Sequence, residues 1–223
     1  MQIIGFAAGP LQTNCYIVSN EDTGEAVVVD PSYGAHARVE KFCAAENLTV
    51  VAIILTHGHI DHIRDAGKFG VETFIHADDV FMLDGAAATE WLRVPFDIDN
   101  MEPIANLTEV TGGQQVTLAG MDFTVRHAPG HSPGSALWIH DDFVLAGDVI
   151  FQGSIGRTDF PRSDHQALLT AITTKLWPLG DDVTFVPGHG PHSTFGAERR
   201  TNPFVSDQAM KAAPIARPAS GPA

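Results

Sequence analysis

The sequence predicts an α/β layered fold, and three observations carry that reading. Strand and helix signals alternate through the first half of the chain. Two of the strand signals are near-continuous β-branched or apolar runs, the pattern of strands covered on both faces. One of those runs leads directly into a cluster of polar, reactive side chains, and functional groups at the carboxyl end of a buried strand belong to layered α/β architectures.

The elements follow in order. Residues 14–18 and 26–29 read as strands, the second almost wholly valine. Residues 35–46 read as a helix, with Ala35, Val39, Phe42 and Cys43 at helical spacing. Residues 50–55 form a buried strand that ends at Thr56-His57-Gly58-His59. Between 84 and 111 the periodicity is poor, and loops with short helices are expected. Strands resume at 121–126, 136–139 and 143–146. Ser163-Asp164-His165-Gln166 has a capping-box pattern before a helix carrying Leu168, Leu169, Ile172 and Leu176. Residues 183–186 make a last strand. With no composition break and no repeat, the expectation is one domain over residues 1–205. Residues 206–223, which end in alanine, proline, serine and glycine, are expected to form a disordered tail.

Composition narrows the function. The chain has 223 residues, 44% of them hydrophobic, and no apolar run approaches the roughly 20 residues of a membrane span. Met1-Gln2-Ile3-Ile4-Gly5 has no basic region ahead of an apolar stretch, so a cytoplasmic location is expected. A net charge of -14 argues against nucleic acid and anionic membranes as partners and leaves a small-molecule substrate. Cys15 and Cys43 lie in apolar surroundings and read as buried free thiols.

The chemistry sits in His57-Gly58-His59-Ile60-Asp61-His62. Four side chains that bind metals fall within six positions, too many for one tetrahedral ion but suited to two. His57 and His59 would share one ion, with Asp61 and His62 reaching a second. Three further candidates occupy turns rich in glycine and proline: His131 in Pro129-Gly130-His131, Asp148 in Ala146-Gly147-Asp148, and His189 in Pro187-Gly188-His189-Gly190. Five imidazoles and two carboxylates can build two adjacent sites with one carboxylate bridging. Asp61 and Asp148 are the candidate catalytic carboxylates. The other histidines read differently: His36, His140, His127 and His192 as surface residues, His76 as a strand end, His165 as part of a helix cap.

These residues resemble the metallo-β-lactamase superfamily, which carries His-x-His-x-Asp-His followed by separated His, Asp and His. The resemblance runs from the Asn14-Cys15-Tyr16 strand to Phe204. The segments around Gly156-Arg157, Pro187-Gly188-His189-Gly190-Pro191 and Glu198-Arg199-Arg200-Thr201-Asn202-Pro203-Phe204 look like the glyoxalase II-like (hydroxyacylglutathione hydrolase-like) branch. The resemblance implies a four-layer αββα sandwich of two mixed sheets flanked by helices, with metals at one sheet edge. It implies His57, His59 and His131 on one ion, Asp61, His62 and His189 on the other, and Asp148 between them. Lactamases proper often place a cysteine where Asp148 stands, which disfavours a lactam substrate.

The expected activity is hydrolysis of hydroxyacyl thioesters, of the S-lactoylglutathione kind, by a hydroxide that two divalent cations generate near neutral pH. Zinc is the first expectation for the ions, with iron or manganese as alternatives. Arg157 is the candidate contact for the substrate's anionic part. The chain departs from the branch after Phe204, where about 19 residues remain and the usual basic, helical glutathione-gripping segment is missing. Two alternatives stand beside this reading: a mononuclear iron oxidoreductase resembling persulfide dioxygenases, using His57, His131 and Asp148, and a lactone or ester hydrolase of the same fold.

Overall fold

Alternation along the strands resolves into two sheets packed face to face. A computed structural model describes residues 1–85 and 96–212. The first sheet contains β1 (Gln2–Ala8), β2 (Thr13–Asn20), β3 (Glu25–Val29), β4 (Thr49–Ile54), β5 (Glu72–His76) and β6 (Leu107–Val110), in that spatial order. The helix α1 (Ala35–Glu46) provides the crossover that lets β3 and β4 pair parallel, and the four-residue helix α2 (Ile60–Ile63) follows β4. The second sheet contains β7 (Gln115–Leu118), β8 (Met121–His127), β9 (Ala136–Ile139) and β10 (Val144–Gly147). A small hairpin of β11 (Ile150–Phe151) and β12 (Ser154–Ile155) and the helix α3 (His165–Ala171) come next. The sheet is completed by β13 (Thr184–Pro187) and β14 (Ser193–Thr194), in the order β14-β13-β10-β9-β8-β7. The helices α4 (Phe195–Thr201) and α5 (Asp207–Ala212) close the described chain.

Period-two patterning assigns each strand residue to a layer. Tyr16, Val18, Val27, Val29, Ala52 and Ile54 meet Phe123, Val125, Ala136, Trp138 and Leu145 between the sheets. Their sequence neighbours Ile17, Val28 and Ile53 point the other way, under α1. Leu137, Val144 and Ala146 likewise face away from the sandwich, toward Leu168, Leu169 and Ile172 of the α3 region and Phe195 of α4. Trp138 is fully buried at the centre, edge-on to Phe74 and Phe123 with ring centroids 6.2 Å away in each case. Both cysteines are buried and unpaired.

Three stretches differ from what was expected of them. The stretch 84–111 contains a strand, β6, as well as a short 3-10 turn at Ile98–Asn100. β6 is four residues long and lies at a sheet edge with only Val110 buried, so its sequence shows little alternation; residues 86–95 lie outside the described chain. The helix α3 is capped by Asp164, whose carboxylate accepts the Ala167 N–H at 2.9 Å, while Ser163 Oγ donates instead to the His131 carbonyl at 2.7 Å. Order continues beyond residue 205: Val205 and Ser206 are buried, Ser206 Oγ accepts the Ala209 N–H, and α5 follows. Residues 213–223 lie outside the described chain. Among the described residues, no helix is long and apolar enough to cross a membrane.

Candidate metal centre

Topology brings distant parts of the chain to one edge. β8 and β10 both run antiparallel to β9, and β13 runs parallel to β10, so all three end on the same side of their sheet. In the facing sheet β3 and β4 are parallel, and β2, antiparallel to β3, begins where they end. The segments after β4, β8, β10 and β13 carry His57 to His62, His131, Asp148 and His189 respectively. Asp30 directly follows β3, and Thr13 opens β2.

All seven metal-binding candidates converge there. One group joins His57, His59 and His131; a second joins Asp61, His62 and His189; and Asp148 falls in with His57 and His62. His57 Nε2 lies 3.0 Å from His59 Nδ1. One Asp148 oxygen stands 3.4 Å from His62 Nε2, and the other 3.5 Å from both His131 Nε2 and His189 Nε2. Asp61 Oδ2 is 3.4 Å from His62 Nε2 and 3.3 Å from His189 Nε2. Phe160 stands edge-on to His59 and His131, and Phe151 to His189, so aromatic rings wall the site.

The donor set fits cations. His62 Nε2, His131 Nε2 and Asp148 Oδ1 are buried without a hydrogen-bond partner, an arrangement that costs about 1–3 kcal/mol per group unless something takes their lone pairs. The opposite ring nitrogens are committed. His62 Nδ1 lies 2.9 Å from Asp30, and His131 Nδ1 lies 2.8 Å from the Arg157 carbonyl. The Thr56 hydroxyl donates to Asp30 at 2.7 Å and so accepts from His57 Nδ1 at 3.1 Å. Each of these three rings thereby keeps its Nε2 lone pair turned inward.

Charge balance points the same way. Burial, reinforced by the neighbouring imidazoles, holds His57 well below the usual histidine range and His59 down to about 3; burial also lowers His131. For His62 burial opposes the charge, but Asp61, Asp148 and Asp30 outweigh it and push its pKa well up. Burial likewise opposes charging of His189, and hydrogen bonds to Asp148 and Asp61 raise it to about 9. Burial would raise both carboxylates, yet His62 foremost brings Asp61 down to about 2 and Asp148 well below its ordinary value. The two buried carboxylates favour protons on His62 and His189 wherever no cation is bound, and a bound cation would take the Nε2 lone pair in the proton's place.

Sequence reading missed the supports. Asp30 takes the Thr56 N–H, the Thr56 hydroxyl and His62, from a backbone with φ 49°. Thr13 Oγ1 donates to Asp61 at 2.8 Å. Asp79, fully buried, accepts from the Gly58 N–H, Ser132 Oγ and the Gly134 N–H, tying the His57 turn to the His131 turn. The signal for Asp30 was its place in Val29-Asp30-Pro31 at a strand end; Thr13 and Asp79 carried none. Arg157 contributes its carbonyl to His131, while its exposed guanidinium makes a two-bond pair with Asp159 at 2.9 and 2.7 Å and lies over Phe160. His127, read as a surface residue, is half-buried: it stacks on His76 with centroids 4.0 Å apart and bonds the Pro133 carbonyl at 2.7 Å. His140 is also partly covered, stacked on Phe143.

Residues 8–189 match the family described as the metallo-beta-lactamase superfamily. The chain belongs to it. Its members typically bind two metal ions, and the His and Asp groups above lie within the matched span. The hydroxyacylglutathione hydrolase GloC of Haemophilus influenzae is 36% identical over 205 residues, covering 88% of this chain and 94% of that protein. An uncharacterised protein of Mycobacterium tuberculosis is 36% identical over 227 residues, covering 92% and 98%. Among solved structures, the BLEG-1 B3 metallo-β-lactamase superposes with a TM-score of 0.79 at 34% identity, covering 92% of this chain and 99% of that one. The fold is thus the metallo-β-lactamase αββα sandwich of two mixed sheets flanked by helices.

Proposed function

We propose that this member of the metallo-β-lactamase superfamily is a dinuclear metallohydrolase that cleaves hydroxyacyl thioesters. The observation that carries the reading is the pair of ligand groups that meet at Asp148, with inward lone pairs left unpartnered. His57, His59 and His131 would hold one divalent cation, Asp61, His62 and His189 the other, with Asp148 between. When bound, the cations supply a nucleophilic water near neutral pH and polarise the scissile carbonyl. Asp30 and Thr13 hold His62 and Asp61 in place, and Phe160 and Phe151 line the site edge-on to His59 and His189. A thiolate departs without prior protonation because thiols ionise near roughly 8.5, so no general acid is required. Direct attack by water also fits the side chains: Cys15 and Cys43 are buried with thiols pushed up by burial, and Ser132 is committed to Asp79. The similarity to a protein named as a hydroxyacylglutathione hydrolase supports the thioester class. The substrate is a small molecule, and the cytoplasm is its proposed location.

The metal stays open between zinc, iron and manganese, since histidine and carboxylate ligands suit all three. A similar structure, TTHA1623, is a di-iron-bound form (33% identity, TM-score 0.76). The mononuclear iron dioxygenase-like reading is kept as a second arm by similarity to ETHE1 from Myxococcus xanthus (25% identity, TM-score 0.76). Likeness to a B3 metallo-β-lactamase adds cyclic amides to the panel. The test is metal-quantified protein assayed against thioesters, lactones and β-lactams, with oxygen uptake followed on a persulfide. Two ions and thioester turnover are expected. One iron at full activity with oxygen consumption would replace the hydrolase by the oxidoreductase.

A further inference from the structure

The segment Glu198-Arg199-Arg200-Thr201-Asn202 supplies no ligand, yet Glu198 is 2% exposed and makes no salt bridge to a cation among the described residues. Neutral donors satisfy it instead. Ser193 Oγ donates to Oε1 at 2.6 Å, while the Gly153 N–H at 2.7 Å and Asn202 Nδ2 at 2.9 Å donate to Oε2. Asn202, itself fully buried, also donates to the Ser154 carbonyl at 2.9 Å.

Both oxygens lead to the candidate metal centre. Ser193 closes the turn that carries His189 and pairs with Phe185 of β13. Gly153 and Ser154 belong to the β11–β12 hairpin, which leaves from Asp148 and returns through Gly156 to Arg157. The Arg157 carbonyl selects the His131 tautomer. The returning leg packs directly on the site, since a Cβ on Gly156 would collide with the Asp148 carbonyl and lie 3.0 Å from the His131 ring.

We infer that Glu198 is a positioning residue for the metal centre: one buried carboxylate fixes the His189 turn through Oε1 and the hairpin that sets Asp148 and His131 through Oε2. This rests on the dinuclear reading above. A carboxylate suits the task because it offers acceptors on two sides at once. Glutamine can replace it, its oxygen serving Gly153 and Asn202 while its amide donates to the Ser193 hydroxyl. Alanine removes the shared acceptor from all three donors, those on Ser193 and Asn202 lying in the interior.

The experiment measures zinc stoichiometry and affinity by chelator competition, with circular dichroism to confirm folding, for the wild type, E198A, E198Q, S193A and N202A. Wild type is expected to take two ions. E198A should lose affinity for both ions, by at most the roughly 10–100-fold that follows loss of a group bonded directly to a ligand. S193A and N202A, each cutting one arm, should each weaken mainly one of the two ions, and E198Q should stay within a few-fold of wild type. Unchanged affinity for both ions in folded S193A, N202A and E198A would overturn the inference and leave the dinuclear reading intact. Fewer than two ions on wild type would overturn both. Should E198A fail to fold, the single-arm variants decide.

Discussion

Asp148 stands where the two ligand groups meet, its oxygens facing His62 on one side and His131 and His189 on the other. Asp148→Ala should nearly abolish turnover in a folded protein, because the carboxylate both spaces the cations and balances their charge. Near wild-type kcat in a variant with an unchanged circular dichroism spectrum would reduce Asp148 to a turn residue. His76 gives a second prediction at this scale. Burial, then the stacked His127, hold its pKa below the ordinary histidine value. The unfolded chain therefore binds the proton first, and the stability His76 contributes is present above about pH 6.5 and lost as pH falls below it. Wild type should lose urea resistance relative to His76→Gln between pH 7.5 and 5.5, and a pH-independent difference would contradict this. The first four candidate ligands were legible in the sequence because their spacing is local, three imidazoles and a carboxylate within six positions. His131, Asp148 and His189 were legible because each sits in a glycine-rich turn after a strand signal. Asp30 and Asp79 were not, because each acts on residues 26 or more positions away, or 21 and 53 to 55 positions away, and an aspartate beside a turn is commonplace.

Strands that are buried on both faces declared themselves, and β3, β4 and β10 are close to where their apolar runs place them. The short edge strands β6 and β7, four residues each with polar outer faces, carry too little pattern to be read, and the two-residue strands of the hairpin none. The turns between strand ends and ligands are the elements with least tolerance. Gly188 precedes His189, and a Cβ there would collide with Asp148 Oδ1 and lie 2.6 Å from His62 Cε1. Gly188→Ala should therefore cost metal affinity far more than it costs the fold, since only the turn after β13 must move. Zinc titration alongside thermal melting checks this; equal affinity with a large loss of Tm would place Gly188 in the core of the fold instead.

Across the whole molecule, carboxylates outnumber cations enough to give a net charge of -14, and three arginines that could meet an anionic carrier are engaged elsewhere. Arg157 is paired with Asp159, Arg162 lies over Phe81, and Arg199 is bound to Asp207. An anionic tripeptide carrier would need charge-assisted contacts of roughly 1.5–3 kcal/mol each, so lacking two of them removes about two to four decades of selectivity. The expected result is a kcat/KM for lactoylglutathione less than about a thousandfold above that for a small neutral lactoyl thioester. A larger preference would reveal a glutathione site built from other residues.

The two sheets reach the metal centre from opposite halves of the chain, and that has a consequence for durability. His59 and His131 are about 70 residues apart in the chain, and His62 and His189 about 130. Closing loops of those lengths in the unfolded chain costs about 4–5 kcal/mol each in conformational entropy. The denatured chain keeps only the short His57 to His62 stretch as a local binder, so cations favour the native state almost exclusively. Their binding free energy is then folding free energy. Stability should climb by about 1.4 kcal/mol per bound ion for each tenfold rise in free metal above the dissociation constant. Urea melts in zinc buffers spanning three decades would show it, and a midpoint indifferent to free zinc would refute it. On this account the protein's stability follows the metal supply around it, rising and falling with ion availability while the sequence stays the same.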